Sequence, residues 1–259
     1  MPGPSFLDLP SRPCKPRQAG LSCAIDGGLP VDEVRSLLAA ASDQLDLWKL
    51  GWGTAYLDQR LHEKLSALRD HAVLSCPGGT LLEIATLQDV AEQCLEWIES
   101  VGFDCIEVSD GLDRLDGPAK AKLIARASRR CTVVAEVGVK DPSTMMTAAT
   151  WVALALADLE AGATWVIAEG RESGTVGIYD PDGSVRVDVV DALLDHVGPE
   201  RIIFEAPRKD QQAWFIRHYG PEVNLANVAP RELCGLEALR LGLRADTVWS
   251  IHDQRVAHR

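Results

Sequence analysis

TVVAEVGVK (residues 132–140) and TWVIAEGRESG (residues 164–174) flank a stretch, 143–161, that reads as an amphipathic helix. Each flanking run is apolar without alternation until it meets charge: Glu136 and Lys140 in the first, Glu169, Arg171 and Glu172 in the second. Parallel strands covered on both faces have this unbroken pattern. A charge is costly inside such a strand and natural where the strand ends at solvent. The stretch is therefore one strand–helix–strand unit. The same unit recurs in both directions. Upstream lie GLSCAI before Asp26, LDLWKLGWGT with Lys49, AVLSCPGGT, and DCIEVSDG with Glu107 and Asp110. Downstream lie RIIFEAPRK with Glu205 and VNLAN with Asn224 and Asn227. Most runs are separated by about 25 to 35 residues of helical pattern, the spacing of βα units. Eight in succession predict a single (β/α)8 TIM barrel, an α/β fold whose strand-end loops assemble one site at the C-terminal face.

The remaining punctuation agrees. Helices are predicted over 31–43, 58–71, 87–101, 117–130, 143–161, 186–197, 209–219 and 229–244. Pro30, Pro118 and Pro142 stand near helix starts, and Gly102, Gly162 and Gly198 follow helical stretches. The proline-rich residues 1–17 read as an extended arm, and 18–259 as the barrel domain. A chain of 259 residues fits one barrel of about 250. Its net charge of −12 argues against a nucleic-acid partner, which calls for a basic face. No apolar run is long enough to cross a membrane. The seven cysteines form no CxxC pair, so free thiols and a cytoplasmic, reducing setting are expected rather than a disulfide framework.

Because the chain is acidic, its few cations at strand ends carry the most information. Lys49 is a point charge suited to phosphate or carboxylate, or a lysine reaching the barrel rim. Gly78 and Gly79 form either an anion-approaching turn or simply a tight one. Glu107 and Glu136 lie in or at the end of apolar strands and require a metal, a cation or a hydrogen-bond network. Lys140, four residues after Glu136, is either a structural ion-pair partner or a general acid–base. Glu169, Arg171 and Glu172 form the densest cluster, and carboxylates at several strand ends suit Mg²⁺. Arg208 after the seventh strand and Asn227 after the eighth stand where barrels of this type hold phosphate. The six histidines fall on helices or the tail and receive no catalytic role.

These segments, in this order, resemble the phosphosulfolactate synthase family. The resemblance runs from KPR at 15–17 to GLRADT at 242–247 and includes KPRxxGL, WKLGWGT, PGGTLLE, IEVSDG, EVGxKD, the RESG cluster, FEAPxKxQQ, NLxN and ALRLGLRADT. It implies a lyase that adds sulfite to phosphoenolpyruvate with Mg²⁺ on a route to coenzyme M, and a homo-oligomer such as a trimer. Under it, Lys140 becomes the candidate proton donor, with Lys49 and Glu172 also catalytic candidates. Asp26, Glu107, Glu136 and Glu169 become candidate metal ligands. Arg171, Arg208, Asn227, Gly78 and Gly79 become candidates for binding the substrate.

The chain departs from the family pattern in places. Asp26-Gly27-Gly28 stands where the family reads Asp-Lys-Gly; Val139 and Ala226 replace a lysine and a glycine. The missing lysine leads to the expectation that sulfite is used poorly, or that a neutral or bulkier nucleophile occupies space opened by Gly27. Two competing readings are a non-catalytic stress-associated homologue and another Mg²⁺-dependent lyase or isomerase of phosphorylated substrates. Retained charge at strand ends favours catalysis.

Overall fold

A computed structural model describes residues 6–111, 115–138 and 145–256. Lys140 lies outside them. The eight strands are β1 (Ser22–Asp26), β2 (Leu47–Leu50), β3 (Leu74–Cys76), β4 (Cys105–Val108), β5 (Thr132–Val137), β6 (Trp165–Ala168), β7 (Ile202–Glu205) and β8 (Leu225–Val228). The helices are α1 (Val31–Ala41), α2 (Thr54–Leu57), α3 (Leu61–Asp70), α4 (Gly79–Leu87), α5 (Ala91–Val101), α6 (Gly117–Ala127), α7 (Ala148–Glu160), α8 (Val187–Val197), α9 (Lys209–Tyr219), α10 (Leu233–Arg240) and α11 (Val248–Val256). All paired strands are parallel, in the order β3-β2-β1-β8-β7-β6-β5-β4. Packing of β3 against β4 brings the two sheet ends together, giving a near-closed (β/α)8 barrel.

Two boundaries differ from the sequence pattern. The helix predicted over 87–101 is α5 alone, preceded by a separate α4. Asp89 turns left-handed between them (φ 57°), so one helix cannot run through. The stretch 229–244 contains a 3₁₀ turn at Pro230–Glu232 and then α10, and the further helix α11 was not predicted. The arm from residue 6 to 17 is fastened to the N-terminal face by Arg12–Glu237 (3.1 Å) and Arg17–Asp46 (2.9 Å). Beside it, the fully buried Arg240 donates to the carbonyls of Val223 (2.7 Å) and Leu21 (3.0 Å).

Strand alternation decides where the site lies, because successive side chains point to opposite faces. Cys23, Leu47, Cys76, Cys105, Val134, Ile167, Ile203 and Ala226 face one another as the apolar filling of the barrel. The opposite parity, including Ala24, Trp48, Ile106, Ala135, Val166 and Phe204, packs against the helices. Two residues beyond the filling, on the same face, stand Ile25, Lys49, Gly78, Glu107, Glu136, Glu169 and Glu205. Hydrocarbon fills the lower barrel and charge fills its top.

Candidate active site

At that top, a cavity of about 270 Å³ collects Lys49 from β2 and one glutamate each from, or directly after, β4, β5, β6 and β7. Ile25, Gly51, Trp52, Gly78, Gly79, Thr80, Glu83, Arg171, Glu172 and Asn227 complete its lining. Lys49 Nζ sits 3.0 Å from Glu107 Oε2 and 3.4 Å from Glu205 Oε1. Burial alone would push the ammonium pKa down. Glu107, Glu205 and Glu136 outweigh it and hold Lys49 charged, well above the ordinary lysine range.

Four buried carboxylates exceed what one ammonium neutralises. Burial raises the carboxyl of Glu107, although Lys49 and the amide of Gly79 oppose the rise. Burial raises Glu169 further, and crowding by Glu136 and Glu205, both within hydrogen-bond reach, adds to it. The Glu169 proton is therefore lost less readily than that of an ordinary carboxyl. Arg171 stands in the left-handed region (φ 54°), which turns the loop amides back onto the carboxylates. Its N–H donates to Glu169 Oε1 (2.7 Å) and Glu205 Oε2 (3.0 Å), and the N–H of Gly170 also donates to Glu205 Oε2 (2.9 Å).

The other wall is the N-terminus of α4. The N–H of Gly79 donates to Glu107 Oε1 at 2.7 Å, so this amide is committed to the carboxylate. A Cβ on Gly79 would lie 2.0 Å from Ser109 Oγ, and one on Gly78 (φ 70°) 2.9 Å from the Leu50 carbonyl oxygen. Both positions demand glycine. Glu83 of α4 accepts from Ser109 Oγ (2.7 Å) and the N–H of Gly111 (2.8 Å), tying the loop after β4 to the helix. On β8 a register irregularity accompanies the left-handed Asn227 (φ 56°). Such a bulge re-aims a side chain. Asn227 is 7% exposed, lines the cavity, and leaves its buried Oδ1 without a hydrogen-bond partner among the described residues.

The structure therefore gathers Lys49, Gly78, Gly79, Glu107, Glu136, Glu169, Arg171, Glu172 and Asn227 around one cavity. Three expectations are corrected. Asp26 is not at the metal position: it has the parity of Ala24 and points outward toward the helices. Its oxygens accept from Gly28 N–H, Leu29 N–H, Trp48 Nε1 and Lys64 Nζ, which occupies the four lone-pair sites of a carboxylate. Arg208 lies outside the cavity, paired with Asp210 at 3.1 Å, and lines a separate surface pocket with Ser184 and Arg217. The space expected over Gly27 is filled, since a Cβ there would stand 2.4 Å from the ring of Trp52. Glu83 and Trp52 are site residues missed, and Glu205, noted at its strand end, was given no role there. Glu205 was legible, because it ends IIFE just as Glu107 stands in CIEV.

The donor chemistry fits a hard divalent cation, since every candidate ligand is a carboxylate oxygen and Mg²⁺ prefers oxygen. The crowding by Glu136 and Glu205 that helps raise the Glu169 carboxyl is the situation a divalent charge relieves. Among the described residues no group of three or more His, Cys, Asp or Glu is placed to hold a metal ion, so a cation here needs substrate oxygens as well. Nor is any helix there long and apolar enough to cross a membrane.

Fold and site together define a class: a (β/α)8 enzyme with an acidic, lysine-centred pocket at the C-terminal ends of its strands. The (2R)-phospho-3-sulfolactate synthase (ComA) model matches residues 10–246. The phosphosulfolactate synthase of Methanothermobacter thermautotrophicus is 41% identical over 249 residues, covering 94% of this chain and 96% of that one. The Bacillus subtilis phosphosulfolactate synthase is 41% identical over 244 residues, 93% and 97% of the two chains. The chain belongs to the phosphosulfolactate synthase family and is an enzyme of lyase type. Protein HEAT-STRESS-ASSOCIATED 32 of Arabidopsis thaliana is 33% identical over 82 residues, 32% of this chain and 27% of that protein. Among solved structures, 3-hexulose-6-phosphate synthase from Salmonella typhimurium superposes with a TM-score of 0.56 at 15% identity, covering 92% of this chain and all of that one, a likeness of fold.

Proposed function

We propose that this chain carries out the reaction of its family, adding sulfite to C3 of phosphoenolpyruvate to give (2R)-phospho-3-sulfolactate. The observation that carries the reading is Lys49 held charged among Glu107, Glu136, Glu169 and Glu205 in one cavity. In the reaction the sulfur lone pair forms the C3–S bond. The C2–C3 π pair moves toward C2 and the carboxylate, C2 then takes a proton, and nothing is oxidised. Mg²⁺, when held by substrate oxygens with one or two of Glu136, Glu169 and Glu205, would supply Lewis-acid stabilisation of the charge that develops on the substrate carboxylate. Lys49 and Arg171 attract the substrate anions, and Asn227 offers an amide to orient them. Incubating purified protein with phosphoenolpyruvate, sulfite and Mg²⁺, with the phosphorus resonances followed by NMR, tests this directly. Loss of substrate without a sulfonated product would overturn it.

Lys140 remains the proposed donor of the proton to C2, supported by its sequence position just beyond the described end of β5. Lys140→Ala is expected to lower kcat by about 10²-fold or more, the usual contribution of a general acid, without altering the melting temperature. Normal turnover would reduce Lys140 to a structural role.

A homo-oligomer is supported by an apolar surface pocket that brings together the exposed Tyr56, Ile84 and Val90. Light scattering should give a mass above that of one 28.1 kDa chain, reduced by Ile84→Glu. A monomeric wild type refutes assembly.

A further inference from the structure

Trp52 has no part in the carboxylate cluster, yet both ends of its side chain are engaged. The residue occupies a left-handed turn with Gly53 (φ 53° and 71°) directly after β2. Its ring lies over Gly27 in the loop after β1, close enough that any Cβ there would collide with it. Its Nε1 donates to Glu172 Oε2 at 3.0 Å, in the loop after β6. In a ring of eight strands, β2 and β6 stand four apart and so face each other across the barrel. This hydrogen bond therefore spans the mouth, above a floor formed by Lys49 and the glutamates. The residue is 53% exposed, with solvent on its outer side.

Accepting the reaction proposed above, we propose that Trp52 is a specificity-determining gate: its indole, clasped to Glu172, bars the mouth and limits the size of the nucleophile that follows phosphoenolpyruvate into the cavity. The π face and edge of an indole make a rigid wall that costs little conformational freedom. A left-handed non-glycine residue is held there only by its surroundings. Both the ring seated on Gly27 and the bond to Glu172 supply that constraint. A nucleophile attacking C3 of a substrate already on the floor approaches from the mouth, beneath the indole. The absence of a side chain at Gly27 is what lets the ring lie flat.

The test uses the full-length protein with phosphoenolpyruvate, Mg²⁺ and sulfur nucleophiles of one chemistry: sulfite, methanesulfinate and benzenesulfinate. In each, sulfur bonds to C3, the displaced π pair settles on C2, and C2 takes a proton. Wild type should discriminate against benzenesulfinate. Trp52→Ala should raise the benzenesulfinate-to-sulfite ratio of kcat/KM at least about tenfold, the scale on which pocket shape discriminates. Trp52→Phe keeps the wall and loses the donor. It should raise the benzenesulfinate-to-sulfite ratio only about two- to threefold, less than Trp52→Ala does. An unchanged ratio in a folded Trp52→Ala protein overturns the gate; should that variant not fold, Trp52→Leu gives the same reading. A second readout is independent of turnover. Saturation with phosphoenolpyruvate should change tryptophan emission in wild type and not in Trp52→Phe, and equal changes in both overturn the gate. Failure of wild type to add sulfite would instead refute the reaction, leaving the emission difference to decide the gate.

Discussion

Lys49→Ala is expected to abolish measurable turnover and to lower the melting temperature by about 10 °C at neutral pH. The lysine sits on β2 inside the barrel mouth, 3.0 Å from Glu107 and 3.4 Å from Glu205. Removing one partner of a buried pair costs about 3–5 kcal/mol, because the charge left behind has no compensation. At about 2–4 °C per kcal/mol for a domain of this size, that gives the expected shift. The pH dependence has a definite sign. Lys49 has a raised folded pKa, so its contribution is complete below the ordinary lysine value of 10.5 and is lost only as the pH rises beyond it. Glu107 and Glu169 are also raised, from 4.5. The stability they contribute is present below pH 4.5 and is lost as the pH rises through their folded values. Without the ammonium, those carboxyls must carry the cluster by protonation, so the variant should be more impaired at pH about 8 than at pH about 5. Thermal melts across that range check the sign. Wild-type kcat in a folded Lys49→Ala protein would remove the lysine from the chemistry.

Exhaustive chelation should reduce activity by about a thousandfold, with recovery on adding Mg²⁺. A Lewis acid at the developing carboxylate charge contributes several kcal/mol, and each 1.36 kcal/mol is about tenfold in rate. The raised carboxyl of Glu169 adds a stricter expectation. A cation that binds beside Glu169, whose carboxyl is raised by burial and by Glu136 and Glu205, competes with its proton. Apparent Mg²⁺ affinity should therefore tighten by up to about tenfold per pH unit over the range in which Glu169 titrates, then level off. Calorimetric titrations at several pH values, in buffers of different ionisation enthalpy, would count the released proton. Full turnover in chelated protein would exclude the metal. Affinity that does not vary with pH would place it away from Glu169.

The sequence by itself determined the eight strands, their order and the polar rim, because runs such as TVVAEV and IIFE declare buried parallel strands and their closing charges. It also placed Lys49, Glu107, Glu136 and Glu169 at that rim. It could not tell Ile25 from Asp26. A strand buried on both faces has no polar side to mark which parity points inward, so hydropathy is silent on the choice that removes Asp26 and its partner Lys64 from the site. Only closure of the barrel makes one parity the interior. Closure also brings Glu205 against Lys49 across 156 residues of chain. It sets Trp52 opposite Glu172, a contact between loops whose local sequences have no bearing on each other. Local pattern fixes where a strand stops, whereas the facing of its last side chains is a property of the closed ring.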